Sequence, residues 1–187
     1  MTESTNPEIA GLIEELSGAS RRRRQEVAHQ LALTARAHPE LMLPHVDALV
    51  DALSRPEAQT RWEVLDALSA VAETNADSVA GAYDGAEASL FDDASATVRL
   101  AAFVFLTRLA GSSPERSDEA WPLLDEAIQC YHGDAEYRDM LVALLALARG
   151  QASEATRAAL ADRVRFDAEN GAGYIKTLSA EILQALA

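Results

Sequence analysis

Apolar residues recur along this chain with the three-and-four spacing that is typical of one face of an α-helix. Two clear examples have apolar positions at residues 9, 12, 13 and 16 and at residues 46, 49, 50 and 53. Short breaks that contain Gly, Pro or Ser separate such stretches. Gly and Pro end helices because Gly accepts the left-handed cap conformation and Pro lacks a backbone N–H. The pattern therefore predicts an all-α chain.

The helical pattern repeats with a period of about 38 residues. A basic residue opens each copy, and the copies are separated by 37, 38, 39 and 38 residues. These basic residues, the basic column, are Arg24, Arg61, Arg99, Arg138 and Lys176. A leucine follows each of them by seven residues, at positions 31, 68, 106, 145 and 183. Small or apolar residues at most of the offsets three, four and eleven complete one stripe of a helix, so the chain contains five copies of one helix.

Each period leaves room for one further helix before the copied one. We predict these first helices over residues 7–16, 40–53, 78–91, 117–131 and 153–166. Neither helix of a pair can bury its apolar face alone, so stacked pairs must form the core. The predicted organisation is a disordered tail over 1–6 and a single domain over 7–187. Its repeats cover about 7–37, 38–75, 76–113, 114–150 and 151–187.

The segment over 90–102, with the sequence LFDDASATVRLAA, resembles a HEAT repeat, and armadillo-type repeats are the near neighbour. In that family an acidic residue lies in the turn within the repeat, and a Val-Arg pair opens the second helix. Val98 and Arg99 match this pattern, Thr60-Arg61 and Tyr137-Arg138 match it in part, and only Ile175-Lys176 remains in the fifth copy. The resemblance covers about 7–187 and implies a right-handed α-α superhelix of about five HEAT-like hairpins. It implies little about function, because one fold serves many tasks.

The charge balance narrows the class of partner. The chain has 16 Lys and Arg against 30 Asp and Glu, a net charge of −14. This excess disfavours nucleic acid and anionic membranes, and it favours a partner that is basic, or apolar with a basic rim. The polar start of the chain has no signal-peptide pattern and a single cysteine allows no internal disulfide, so we expect a cytoplasmic protein.

The basic column has a structural and a functional interpretation. Its residues share the azimuth of offsets four and seven, so they begin in the core stripe. There a cation needs a carboxylate or free carbonyls, and we expect a structural ladder that ties adjacent repeats; an anion-binding ladder is the alternative. The expected cap positions four residues earlier are Ser20, Glu57, Ser95 and Asp134. The basic run over 21–24 is either solvated or a contact for nucleic acid or for an acidic partner, which could be a second copy of this chain.

Apolar residues on the second helices are the candidate partner-binding residues. The resemblance to HEAT proteins implies that second helices line a concave surface. The candidates on or near that surface are Trp62, Leu100, Val104, Met140 and Leu147. They either form a groove that docks a helix or peptide, or pack between neighbouring second helices.

No pattern of catalytic or metal-binding residues is found in the sequence. The four histidines, at positions 29, 38, 45 and 132, form no metal-binding pair. Cys130 and His132 project from different sides of a helix, and we expect Cys130 to be buried. The nine glycines form no phosphate-binding loop. We therefore expect no cofactor, no metal and no enzymatic activity.

The favoured function is a non-catalytic protein-interaction scaffold, and two alternatives remain. DNA-alkylation-repair glycosylases of the HEAT family also carry Trp and Arg on a concave surface, but a net charge of −14 disfavours DNA binding. The other alternative is a capping subunit of a larger assembly, because the last helix is apolar over a wide arc. Self-association through this end would use Leu178, Ile182 and Leu186.

Overall fold

The computed structural model describes residues 6–187, which form eleven α-helices, two 3-10 segments and no strand. The α-helices are α1 (Pro7–Leu16), α2 (Arg21–Ala37), α3 (Val46–Ala52), α4 (Ala58–Ala72), α5 (Ala76–Val79), α6 (Tyr83–Leu90), α7 (Ala96–Ala110), α8 (Pro114–Cys130), α9 (Tyr137–Arg149), α10 (Glu154–Asn170) and α11 (Gly173–Leu186). The 3-10 segments are Pro39–His45 and Ala80–Ala82. The all-α prediction is confirmed. None of the helices in this part of the chain is both long and apolar enough to span a membrane.

Most of the expected tail, residues 1–5, lies outside the described residues. Asn6 is described, and it is the N-cap of α1 because its Oδ1 accepts a hydrogen bond of 3.0 Å from the Glu8 backbone N–H. An Asn at this position satisfies one of the N–H groups that a helix start leaves without an internal partner. The first helix therefore begins where the sequence predicts it, at Pro7.

Two of the predicted first helices are interrupted. The stretch predicted over 40–53 is the 3-10 segment Pro39–His45 followed by α3, and Pro44 lies inside the segment. Pro removes a backbone donor and clashes with the preceding turn, which prevents a continuous α-helix. The stretch predicted over 78–91 is divided into α5, the 3-10 segment Ala80–Ala82 and α6. Pro122, in contrast, lies within α8 without ending it.

The first compact unit reaches to Phe105. Within it α1 packs on α2, α2 on α4, α3 on α4, and α1 on α3. First helices thus contact first helices and second helices contact second helices, as stacking of successive pairs requires. Residues Leu31, Leu49, Leu65 and Leu68 are fully buried between these helices.

The second compact unit begins at Leu106, within α7. Here α8 packs on α10, α9 on α11, and α10 on α11, which is again the contact order of stacked pairs. The core includes Leu124, Leu144 and Leu160, all buried. The segments that follow α7 and α9 contact each other in this unit. The Gln151 backbone N–H donates a hydrogen bond of 2.8 Å to the Gly111 carbonyl. A Cβ at Gly150 would lie 2.7 Å from that oxygen, so only glycine fits there.

The N-caps of the second helices show that α9 begins at a different place relative to the basic column. Ser20 and Ser95 accept hydrogen bonds from the Arg23 and Val98 backbone N–H groups, both at 3.3 Å. Glu57 is the N-cap of α4, although its side chain makes no capping bond. The expected cap Asp134 is wrong, because α9 begins later and its N-cap is Glu136. The basic column is therefore the fourth residue of α2, α4, α7 and α11 but the second residue of α9.

Candidate interaction surfaces

The first two residues of the basic column reach from one repeat to the next. Arg24 is 8% exposed; its Nη1 donates 2.7 Å to the Gly18 carbonyl and its Nη2 donates to the Glu57 carboxylate. Arg61 repeats this contact one repeat further on, with its Nη2 donating 2.7 Å to Asp92 Oδ2. Each acceptor lies just before the second helix of the following pair. These contacts tie the second helices of the first unit to the following turn.

The other column residues make different contacts. The Nη1 group of Arg99 donates 2.9 Å to the Asp92 carbonyl, and Lys176 Nζ donates 3.0 Å to the Glu169 carbonyl, both seven residues earlier. These bonds place a cation at the carboxyl end of the preceding helical stretch, where the helix dipole favours it. Arg138 is exposed and approaches Asp139 at 3.7 Å. Arg138 is the second residue of α9, whereas its equivalents are the fourth residues of their helices. Val142, four residues further along the same stripe, is also exposed, at 46%.

The cations of the column lower the pKa of their acidic partners. The hydrogen bond from Arg24 holds the pKa of Glu57 below its usual range and outweighs burial, which acts in the opposite direction. Burial also acts to raise the pKa of Asp92, but Arg61 and the Ala94 backbone N–H together hold it below its usual value. Both carboxylates are thus held in the ionised form that the guanidinium groups need.

The basic run over 21–24 is largely paired within the first unit. Arg22 Nε contacts Glu26 Oε1 at 2.8 Å, Arg23 pairs with Glu15, and Arg24 pairs with Glu57. Three consecutive cations are therefore matched by carboxylates of the chain itself. This pairing leaves little free positive charge for an acidic partner or for nucleic acid phosphates.

The α2–α4 face, formed by the outward side chains of α2 and α4, joins basic groups of one helix to acids of the next. His29 Nδ1 lies 2.8 Å from Glu63 Oε1, and Arg36 pairs with Asp66. Glu63 is buried, and burial raises its pKa although the hydrogen bond with His29 opposes the shift. Between these pairs the apolar Leu33 is 49% exposed.

The five candidate partner-binding residues have two different environments. Trp62, Leu100 and Val104, all in the first unit, are half-buried. Met140 and Leu147, in the second unit, are each 1% exposed. For these two residues the structure agrees with the packing alternative, because a side chain inside the core cannot contact a partner. Sequence reasoning missed two exposed apolar side chains on α9 and α10, Val142 and Phe166, which are 46% and 71% exposed.

The second unit contains a cavity of about 310 Å³ where the end of α8, the start of α9 and the second half of α10 meet. Its lining residues are Ile128, Gln129, His132, Tyr137, Arg163, Phe166 and Asp167. We call it the α8–α10 pocket. Tyr137 is 1% exposed, and burial together with the nearby charge of Asp167 raises the pKa of its phenol. The His132 ring lies with its centroid 4.8 Å from that of Tyr137.

Two ion pairs border this pocket. His132 Nε2 lies 2.8 Å from Asp167 Oδ2, and Arg163 holds Asp125 through Nε at 2.5 Å and Nη2 at 2.8 Å. The bidentate bond to Asp125 raises the pKa of Arg163. Sequence reasoning could not find this site, because its charged residues are 38 and 35 positions apart and belong to different repeats.

Cys130 is exposed, which corrects the expectation that it is buried. It is the last residue of α8, and at this end Ala127 and Ile128 carry the buried face. Among residues 6–187, no three His, Cys, Asp or Glu side chains come together in a metal-binding arrangement.

The three residues proposed for self-association also differ in exposure. Leu178 and Leu186 are half-buried, whereas Ile182 is fully buried within the chain. Ile182 therefore cannot contact a second copy, since it points into the core of its own unit. Leu186 borders a shallow cavity that also includes Glu154 and Arg157. Arg157 donates to the carbonyls of Ala148, Ala185 and Leu186 at 2.7, 3.2 and 3.1 Å.

Comparisons with known proteins identify the class of fold. No family model matches the sequence, and no curated protein matches it either. A designed armadillo repeat protein in complex with the peptide (KR)4 matches 97% of this chain and 82% of its own, with 17% identity and a TM-score of 0.77. A computationally designed armadillo repeat protein for modular peptide recognition matches 97% and 87%, with 16% identity and a TM-score of 0.72.

A natural protein is also similar. An archaeal HEAT-like repeat protein from Thermococcus onnurineus matches 96% of this chain and 70% of its own, with 14% identity and a TM-score of 0.65. At such identities the likeness shows the fold alone. The chain has an all-α superhelical repeat fold of HEAT or armadillo type, and the resemblance seen in its sequence is confirmed.

Proposed function

We propose that this protein is a non-catalytic interaction scaffold that binds a basic segment of a partner protein. The observation that carries the proposal is a likeness over 97% of the chain to a repeat protein whose structure contains the peptide (KR)4. The net charge of −14 supports it, because an acidic surface attracts Lys and Arg side chains and repels nucleic acid. The fold presents second helices in series, which suits an extended peptide.

The proposed docking surface lies on the second helices of the first unit. Trp62, Leu100 and Val104 are half-buried there and offer apolar area at its edge. The aliphatic stems of Lys and Arg pack well on such groups while their charged ends reach acidic side chains. The α2–α4 face is compatible with this assignment. Its cation Arg36 is paired with Asp66, so it repels the Lys and Arg side chains of a basic peptide less than an unpaired cation would.

Tryptophan fluorescence can test the proposal directly. The chain has two tryptophans, so Trp121→Phe leaves Trp62 as the single reporter. We expect the (KR)4 peptide to change the emission of Trp62, with an affinity that falls as salt rises, because the attraction is electrostatic. A peptide of Gly and Ser of the same length is the neutral control.

Substitutions locate the surface. Trp62→Ala and Val104→Asp should each weaken binding of (KR)4 at least tenfold while circular dichroism stays unchanged. Trp121→Ala, which removes the same side chain from the second unit, is the matched control and should bind as the parent does. Equal affinity for the neutral peptide, or unchanged binding by a folded Trp62→Ala variant, would overturn this proposal.

A further inference from the structure

The α8–α10 pocket lies in a different part of the chain from the proposed docking surface. Its volume of about 310 Å³ is at the small end of ligand sites, which are typically about 300–1,000 Å³, so it suits one side chain better than a cofactor. Two of the chain's ten aromatic residues, Tyr137 and Phe166, line it. Phe166 is 71% exposed, so the described residues 6–187 leave most of its ring uncovered.

The hydrogen-bonding groups left over in this pocket are mainly acceptors. Asp167 uses Oδ2 for His132, which leaves Oδ1 available. A neutral His132 that donates through Nε2 keeps Nδ1 as an acceptor. Gln129 donates its amide N–H to the Asp125 carbonyl and carboxylate at 3.2 and 3.1 Å, which leaves its Oε1. The buried Tyr137 side chain also lines the pocket.

The donors that line the pocket are already engaged. Arg163 is the only permanent cation of the described lining, and two of its nitrogens are held by Asp125. An anionic ligand would have to compete with that bidentate pair and with the net charge of −14. An apolar ligand would cover the free acceptors of Asp167, His132 and Gln129 without giving them donors, which is costly. The pocket therefore favours a ligand that is rich in donors and positively charged.

We propose that the α8–α10 pocket binds the guanidinium group of an arginine side chain on a partner protein. A guanidinium has five N–H donors in one plane, enough to satisfy Asp167, His132 and Gln129 together. Its flat face stacks on an aromatic ring, as the uncovered Phe166 allows. A lysine ammonium carries three donors and no flat face, so it fits the same acceptors less well. This inference does not depend on the docking surface at Trp62.

The test uses the full chain and a blocked arginine, Nα-acetyl-arginine N-methylamide, followed by NMR. We expect the ring signals of His132, Tyr137 and Phe166 to shift on titration. The citrulline analogue has the same shape without the charge and should bind at least tenfold more weakly, and so should the blocked lysine. Phe166→Ala and Asp167→Asn should each lower the affinity for blocked arginine at least tenfold. Phe166 is exposed, so its removal should leave the fold intact.

Val142→Ala is the matched control, since Val142 is an exposed apolar residue on α9 outside the pocket lining. It should bind blocked arginine as the parent protein does. The inference is overturned if citrulline or lysine binds as tightly as arginine, if inorganic phosphate shifts the same signals at lower concentration, or if a folded Phe166→Ala variant binds normally. Failure of this test leaves the (KR)4 experiment at Trp62 unaffected, so the two proposals can fail separately.

Discussion

The guanidinium of Arg24 donates a hydrogen bond to the carboxylate of Glu57, 33 residues further along the chain, and both side chains are buried. Arg24 also donates to the Gly18 carbonyl, so one side chain joins the end of α1, its own helix and the start of α4. Taking two charges out of water is expensive, and only their mutual contact offsets that cost. Removing one partner should therefore lower the free energy of unfolding strongly, whereas replacing both residues by apolar ones should change it little.

We expect Arg24→Met to lower the free energy of unfolding by about 3–5 kcal/mol, because it leaves the Glu57 carboxylate buried without a cation. The double variant Arg24→Met with Glu57→Leu should recover most of this loss and fall within about 1 kcal/mol of the parent. Urea denaturation followed by circular dichroism measures both.

Arg138→Met is the matched control from the same basic column. Arg138 is exposed and only approaches Asp139, so its removal should change stability by less than about 0.5 kcal/mol. Equal losses for Arg24→Met and Arg138→Met would contradict the assignment of a buried interrepeat tie to Arg24.

The buried Glu63 predicts that the stability of the folded chain falls as pH rises. Burial raises its pKa in the folded chain, so the folded state holds the proton more tightly than the unfolded state. Stability therefore falls as pH rises from the ordinary glutamate pKa of about 4.3 through the raised pKa of the folded chain, and the loss persists at higher pH.

Glu63→Gln tests this pH dependence, because it keeps a hydrogen-bonding partner for His29 and removes the charge. We expect this variant to be more stable than the parent at pH 8 and equal to it at pH 4. Thermal unfolding at the two pH values measures this, and a constant difference would contradict it.

The sequence predicts the fold well because the same stripe of apolar residues recurs on each second helix, about every 38 residues. The leucines seven residues after the column are buried in the first four copies, at positions 31, 68, 106 and 145. The interruptions of two first helices by 3-10 segments were not predicted. One contains Pro44, but Pro122 lies inside the continuous α8, and the other interruption, Ala80–Ala82, contains no proline. The difference depends on how the neighbouring elements pack, which local propensity does not contain.

The surfaces are harder to predict, because the spacing of apolar residues does not give the orientation of each helix towards its neighbours. On α9, Arg138 and Val142 were expected in the core stripe, but Arg138 is exposed and Val142 is 46% exposed. The same helix buries Met140 and Leu147, which were candidates for a docking surface. The α8–α10 pocket depends on pairs between repeats, such as His132 with Asp167, which no local pattern encodes.

The C-terminal repeat remains a proposed site of self-association, with Leu178 and Leu186 as its half-exposed residues. We expect light scattering at tens of micromolar to give a mass above the 20.1 kDa of one chain. Leu178→Glu should return the protein to monomers, because a buried carboxylate in the contact would cost too much. Thr177→Glu, which adds the same charge at the adjacent exposed position, controls for charge alone. A monomer in the parent protein under these conditions would rule out this contact.

Arg157 gives the sharpest stability prediction for the second unit. Its guanidinium donates to the carbonyls of Ala148, Ala185 and Leu186, and so it holds the carboxyl ends of α9 and α11 from its place on α10. The last carbonyls of a helix have no internal partner, and a cation there also meets the negative end of the dipole. Arg157→Ala should therefore lower the free energy of unfolding by about 2 kcal/mol, since hydrogen bonds to a charged donor are lost. Arg157→Lys should retain part of the stabilisation, because one ammonium cannot reach both helix ends.

Arg165→Ala is the matched control for Arg157→Ala. It removes an exposed arginine of the same helix, whose contact is with Asp162, and should lower the free energy of unfolding by less than about 0.5 kcal/mol. Hydrogen exchange should show faster exchange in the last turn of α11 in Arg157→Ala alone, and equal exchange in the two alanine variants would contradict the capping role.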